Sequence, residues 1–588
     1  TLLVANRSTV GYSYLLGKMT GRASYIVDQT TVTTTNMYAM YNNAIYTDAL
    51  YEVRRSVVKS TSNFAVYVNA QIYGTSVHRY VDSTLQSTYT GAVSYTYPPG
   101  QGALCYYYTY AQFNVGSVLE IDRNNMIVVP IGAFGLYVRM NGGRLQHTTS
   151  KYSGGQALVY HDAAANANNV MVVEDSSLYQ LYVYRADTHV TSNDLMVARR
   201  CSISYLYFYL GKSNGTSAGI EDTTATYTYI NGGLTGSATI WYSRSSSYTL
   251  QYTFSNVDSS QFDVQDGATV YLFINAKFLR MEPTVRSMVV TYLIYLQNGG
   301  LQSARMVLQN VTVTSTNTYA LYLGSFPLVA GSSLEVLNCN IKTTSSHAVY
   351  LTSSVISDGS RLVFEDSSLI AAYGLYLATY QLNTGGLLYA RRTTFSATST
   401  SYNTMYVLGS GGQIDHDGSN RHITGQILIQ FNTPSSNNLF ILNQSSIYAL
   451  SYQQTAAHTV NNCTIAIVGS SVYTLAVTSP GLTTFFDFRV DRSSVYTSTW
   501  SSGVTSNTTV TASAVTGSYW YVYGTTTKDM NATVLDSTIT IGYYLSISDA
   551  RDGTLLVANR STVGYSYLLG KMTGRASYIV DQTTVTTN

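Results

Sequence analysis

The residues best equipped for chemistry lie in one short run, Asp415-His416-Asp417, followed closely by Arg421 and His422. Carboxylates beside imidazole and guanidinium groups are the materials of glycosidic-bond cleavage, where an acid and a base flank the scissile bond, or of metal binding. An Asp-His-Asp-Gly run is also what a solvated turn is made of. Four cysteines, Cys105, Cys201, Cys339 and Cys463, are widely spaced, and no Cys-x-x-Cys or His-x-x-x-His pair forms a zinc pattern. Gly-rich phosphate loops and Gly-Gly-x-Gly-x-Asp calcium repeats are absent from the sequence. The chain therefore reads as non-enzymatic, with no catalytic, cofactor-binding or metal-ligating residue assigned and no cofactor expected.

Two other residue types are patterned. Asn-x-Ser/Thr sequons occur at Asn6, Asn214, Asn310, Asn443, Asn462, Asn507, Asn531 and Asn559. Such sequons mark a secreted protein carrying N-linked glycans. Asn6, Asn310, Asn462 and Asn559 each lie two positions after the first apolar residue of a recurring pattern, and Asn443 lies one after, so all five are expected in one type of polar turn. Tyrosine is the compositional outlier at 55 residues. Charged residues make up 11% of the chain, against a usual ~25%. With a formal net charge of +2 and no basic patch, nucleic acid is not an expected partner. No apolar run approaches the ~20 residues of a membrane span.

The elements that position these residues come from two nested repeats. Thr1–Thr34 recurs letter for letter as Thr554–Thr587, so residues 1–553 read as one long unit and 554–588 as the start of the next. A shorter motif, an apolar residue followed by polar residues and another apolar residue five or six positions on, recurs inside it. Examples are Val173-Glu-Asp-Ser-Ser-Leu178, Val197-Ala-Arg-Arg-Cys-Ser-Ile203, Val336-Leu-Asn-Cys-Asn-Ile341 and Phe364-Glu-Asp-Ser-Ser-Leu369. Neighbouring copies are about 25 residues apart, and blocks such as Tyr319-Ala-Leu-Tyr-Leu323 and Tyr373-Gly-Leu-Tyr-Leu377 follow them.

Short alternating segments at this period predict an all-β fold, a right-handed parallel β-helix (β-solenoid) of roughly 22 coils per long repeat. At ~4.8 Å per coil that is about 100 Å. Segments 82–120, 225–300 and 411–440 break the rhythm and are expected to be irregular coils or loops. Alternation places Leu321 and Leu323 inward and Tyr322 outward. Tyr67, Tyr137, Tyr350 and Tyr376 are at matching positions, so stacking predicts a surface aromatic stripe. Cys339 and Cys463 are expected in the same turn slot about five coils apart, too far for a disulfide.

The blocks Leu334–Leu351 and Leu362–Leu377 resemble the giant β-helical surface proteins of trypanosomes and their kinetoplastid relatives known as the dispersed gene family. That resemblance implies pectin-lyase-like coils and a eukaryotic cell-surface or extracellular location. Together these readings predict a structural, glycosylated filament protein, stacked end to end with copies of itself and able to pack laterally. The alternatives are an adhesin gripping glycans or a partner through the tyrosine stripe, and a polysaccharide lyase or hydrolase.

Overall fold

The computed structural model describes the chain except for residues 36–37, 62–63, 70, 89–103, 129–132, 154, 161–164, 186–189, 399–400, 419, 432–434, 455–459 and 586–588. It is an all-β fold in which parallel strands stack as a β-solenoid of about 22 turns. Two compact units divide it, Thr1–Lys277 and Phe278–Asn588.

In the first unit a representative turn runs through the strands Leu50–Arg54, Val57–Ser60 and Phe64–Val68. Leu50–Arg54 lies in parallel register between Ser24–Asp28 and Val77–Val81. In the second unit, Ser333–Leu337, Asn340–Thr343 and His347–Thr352 form one turn. Their counterparts in the next turn are Arg361–Glu365, Ser368–Ala371 and Tyr373–Leu382. β-branched and aromatic residues suit these half-buried pleats. Leu321, Val349, Leu375 and Met405 stand in one column and Leu323, Leu351, Leu377 and Val407 in the next, all with no solvent exposure. Burying each contributes roughly 1.5–3 kcal/mol, so the expectation for Leu321 and Tyr322 holds.

Two of the segments expected to be irregular are regular. In the first unit, Thr224–Thr235 pairs with both Ser202–Asn214 and Ser246–Asp258. In the second, Gln413–Asp417, Arg421–Ile423 and Gln426–Phe431 take their places in the ladder. In 225–300 long strands such as Ser246–Asp258 replace two short ones, and with the intervening polar turn gone the motif loses its spacing. Within 82–120, the strands Thr84–Ser87, Leu104–Asn114 and Val118–Asp122 are ordered, and residues 89–103 lie outside the described set.

The corner after the first strand of each turn is built from two residues. The first takes a left-handed conformation, as at Asp175, Arg200, Asn338 and Asp366, with φ near +50°. The second points into the dry interior and is usually small and polar, with Met288, Val311 and Val515 as buried apolar exceptions. Where polar, its side chain satisfies backbone groups that no ladder bond reaches. In the first unit the Thr30 amide donates to Ser56 Oγ at 3.1 Å, the Ser56 amide to Ser83 Oγ at 3.2 Å and the Ser83 amide to Asn124 Oδ1 at 2.9 Å. The Asn124 and Ser150 amides donate onward to Ser150 Oγ and Ser176 Oγ. In the second unit the Val311 amide reaches Cys339 Sγ, and the Cys339 amide reaches Ser367 Oγ at 3.0 Å. Each hydroxyl also donates to the carbonyl two residues back, as Ser367 does to Glu365 at 2.8 Å. A second, parallel column serves the corner before the first strand, for instance from the Ser332 amide to Ser360 Oγ at 3.1 Å.

Removing one rung strands a buried donor. Ser367→Ala is expected to cost about 1–3 kcal/mol in chemical denaturation. Ser367→Cys is expected to cost less, because sulfur already occupies this slot at Cys339. Equal effects of the two variants would contradict the ladder's role.

Candidate functional site

Tyr322, Tyr350 and Tyr376 are half-buried on the outer side of their strands, as alternation requires. Tyr322 and Tyr350 stack with ring centroids 5.6 Å apart and planes at 20°, Tyr350 and Tyr376 at 5.3 Å and 14°, and Tyr376 and Tyr406 at 4.6 Å and 12°. A neighbouring row runs from His347 to Tyr373 to Tyr402. In the first unit Tyr41 and Tyr67 stack at 5.4 Å and 8°. Tyr137 lies in the same register column, with Tyr67 pairing with Tyr107 and Tyr107 with Tyr137, but it is only 6% exposed and its next register neighbour is Leu158. Burial raises the phenol pKa of Tyr322 and Tyr376, and nearby tyrosines raise it further, so these rings stay neutral. Rings stacked on one another cover each other's faces and present their edges to solvent. This geometry favours hydrogen bonding and lateral packing over stacking of a sugar on an open face.

A more exposed aromatic row lies elsewhere in the second unit. Tyr448, Tyr473 and Tyr496 are 42%, 48% and 45% exposed and stack at 5.3 Å and 13°, then 4.8 Å and 2°. With Ser446, Ser471 and Ser494 they line an open groove of about 550 Å³.

The left-handed corners carry a charge pattern. Arg200 binds Asp175 through both carboxylate oxygens at 2.7 and 2.9 Å, and Arg244 binds Asp222 at 2.8 and 3.0 Å. In the second unit Arg392 grips Asp366 at 2.6 and 2.7 Å, and Arg560 grips Asp536 at 2.8 and 2.9 Å. These guanidinium bonds hold the Asp175, Asp222 and Asp366 carboxyls below their ordinary pKa. Just before the corner, Arg199 bridges Glu174 of one turn and Glu221 of another at 3.0 and 2.8 Å. The signal was present in the motif: Glu174-Asp175-Ser176 in one copy faces Arg199-Arg200-Cys201 in the next, and Glu365-Asp366-Ser367 faces Arg391-Arg392-Thr393. The complementary charges emerge only when one copy is set against the next, which the apolar spacing alone does not show.

The Asp415 cluster does not assemble. Asp415 and Asp417 point outward from the strand Gln413–Asp417, while His416 points into the core, where it meets His422. The two rings lie 5.2 Å apart, with His422 Nε2 3.4 Å from His416 Nδ1. His422 also stacks on Phe395, and its Nδ1 is 2.8 Å from Thr404 Oγ1. Among the described residues no group of three or more His, Cys, Asp or Glu is arranged to hold a metal ion. Cys201, Cys339 and Cys463 are free and buried. The side chain of Cys105 lies outside the described residues.

No family model, no curated protein and no solved structure matches this chain.

The sequons fall into three corner positions where one was expected. Asn310 has φ +53° and shares the left-handed slot of Asn338. Asn6, Asn443 and Asn559 end the preceding strand, one position earlier, and the left-handed residues beside them are Arg7, Gln444 and Arg560. Asn462 and Cys463 belong to the other corner, because Thr464 pairs with Leu439 at the start of a first strand. Cys339 and Cys463 are therefore in different columns, contrary to expectation. Val336-Leu-Asn-Cys-Asn-Ile341 and Val460-Asn-Asn-Cys-Thr-Ile465 share the Asn-Cys pair and the flanking apolar residues, and that likeness does not distinguish the corners. Asn214, Asn310, Asn462, Asn507 and Asn531 are exposed. Asn443 is half-buried, with Nδ2 donating to Asp417 Oδ1 at 3.1 Å.

Burial pushes the imidazole pKa of His416 and His78 down to about 3 and that of His147 to about 4. These rings are neutral when folded but bind protons below about pH 6.5 when unfolded. Their contribution to stability is complete above that pH and is lost as pH falls toward 3. His416→Phe is expected to lose about 3 kcal/mol less than the parent between pH 7 and pH 4, measured by chemical denaturation at both. Identical losses would refute the assignment.

Proposed function

We propose that this protein is a structural, N-glycosylated component of a cell surface or extracellular matrix, built from β-solenoid repeats stacked end to end. One observation carries the reading. The second copy of the duplicated segment continues the ladder of the turn before it, Leu555–Asn559 pairing with Asn531–Leu535 and Thr562–Val563 with Thr538–Ile539. A repeat thus meets the start of the next one with the same bonds that join turns within a repeat. The resemblance to kinetoplastid surface proteins supports the location, and the exposed sequon asparagines at left-handed corners, Asn310, Asn462 and Asn507, give room for glycans.

The intact polypeptide, stripped of glycans, is expected to have a mass well above 64.3 kDa, as a tandem array requires. A mass near one repeat would mean separate subunits. Glycopeptide mass spectrometry is expected to find glycans at Asn310 and Asn507 and none at Asn443, whose amide is tied to Asp417 and whose sequon Ser445 is buried in the corner ladder. Finding all eight sequons bare would remove the extracellular part of the reading.

The exposed Tyr448, Tyr473 and Tyr496 row favours a second reading, adhesion. If it holds, replacing all three with Ala abolishes binding on a glycan or protein array while leaving the unfolding midpoint within a few degrees. Binding unchanged by the triple substitution would exclude this row.

A further inference from the structure

Three tyrosines of the second unit share one slot of the ladder. Ser446 pairs with Ser471 and Ser471 with Ser494, while Ala449 pairs with Thr474 and Thr474 with Thr497. Tyr448, Tyr473 and Tyr496 fall between those pairs, and each is followed by a second outward-facing residue. A straight strand alternates, so two outward residues in succession mark a bend, and the side chain on its convex side stands clear of its neighbours. All three rings are more than two-fifths exposed. Parallel strands project a shared slot in one direction, so the hydroxyls and the ring carbons beside them lie on the same side of the row. Tyr473 and Tyr496 are the closest and most nearly parallel pair, 4.8 Å apart with planes at 2°, and Tyr448 follows at 5.3 Å and 13°. The next turn has Ser518 in this slot, where the row ends.

We propose that this row is a site of oxidative modification, in which a carbon–carbon bond joins Tyr473 to Tyr496 and staples one turn of the solenoid to the next. The oxidant is hydrogen peroxide acting through a haem peroxidase. Each of the two phenols gives one electron to the peroxidase and its hydroxyl proton to water. The unpaired spin spreads onto the ring carbons ortho to oxygen, and two such carbons on the neighbouring rings join. The hydrogen on each joined carbon then moves to its phenol oxygen, which restores both aromatic rings. The pair loses two hydrogens in total, and these reduce one peroxide to two waters. The centroid separation is already close to that of two directly bonded rings, so the rings need only turn about their Cβ–Cγ bonds while the strands stay in register. The exposed bend, with the open groove of about 550 Å³ beside it, leaves room for that turn. Tyr376 and Tyr406 are as close, at 4.6 Å, but both are half-buried, and His347 packs 4.8 Å from Tyr376. The competing electron donors nearby, Trp500 and Cys463, are buried. The step needs neither glycans nor end-to-end stacking, and so goes beyond the structural reading above.

The test treats the full chain with a haem peroxidase and hydrogen peroxide over a range of protein concentrations. Trypsin separates Tyr473 from Tyr496 at Arg489 and Arg492, so mass spectrometry reads the staple as two joined peptides lighter by two hydrogens. The joined peptides are expected from the monomer band of a denaturing gel, in a yield independent of protein concentration, together with the blue fluorescence of dityrosine. Tyr473→Phe keeps the ring and is expected to lose most of that fluorescence in the monomer. Tyr376→Phe is expected to retain it, with both variants unfolding within a few degrees of the parent. Joined peptides found only in multimer bands, or none from this row at all, would overturn the proposal. Fluorescence undiminished in Tyr473→Phe would overturn it as well.

Discussion

The corner ladder is the constraint on which the rest of the structure depends. A solenoid turn must change direction within two residues while its interior stays dry. The left-handed residue gives the direction change, and its own amide bonds to the neighbouring turn, as Asp175 does to Arg199 at 3.0 Å. The next residue faces inward, and its amide is too far round the corner to join the strand ladder. A short side chain with both a donor and an acceptor resolves this, taking that amide's bond from one turn and giving its own proton to a carbonyl, two residues back for Ser, Thr and Cys and in the adjacent turn for Asn124, which donates to Tyr80. Ser, Thr, Cys and Asn meet the requirement, and they fill the column at Ser56, Ser83, Asn124, Ser150, Ser176 and Thr223. The cysteines at 201 and 339 thus have a structural explanation. They are weaker versions of the same rung, with burial raising each thiol pKa to about 11 and keeping it protonated.

With the corners fixed, the strands are held at one spacing, and that spacing sets the surface. Aliphatic columns inside and aromatic columns outside share a ~4.8 Å repeat. Phenol rings repeated at that distance are close enough to stack, so the tyrosine rows follow from the core packing and need no ligand to explain their order. This also limits what the rows can do. Stacked rings such as Tyr350 and Tyr376 offer edges, while the open row at Tyr448, Tyr473 and Tyr496 adds accessible hydroxyls beside a line of serines.

Period and alternation made much of this legible in advance. The placement of Leu321 inside and Tyr322 outside needed only the two-residue repeat of a strand. The same rule separates His416 from Asp415 and Asp417, but it applies only to a strand, and the broken motif spacing around 411–440 hides that this segment is one. Corner identity was harder to read. Asn310, Asn443 and Asn462 share one local pattern yet occupy three positions, because the number of residues between turns varies and only pairing with the adjacent turn fixes the register. Complementary charges are likewise invisible within a single motif. Glu365-Asp366 acquires meaning only when set against Arg391-Arg392 one turn later.

Those charges bear on how turns find their neighbours. An exposed Arg–Asp pair adds at most about 1 kcal/mol to stability, so the corners of Arg200 and Asp175 do not hold the solenoid together. Their effect is on selection. Apolar columns are nearly indifferent to which turn lies above which, since a Leu from one turn packs as well on the next as on the one after. Acidic and basic corners are not indifferent, because a slipped turn would set Asp against Asp or Arg against Arg. Specificity therefore resides in the exposed corners and cohesion in the buried columns. The duplicated segment illustrates the division: its aliphatic residues are the same in both copies, and the Arg of its first corner, as Arg560, is matched to the acidic corner of the turn before it at Asp536.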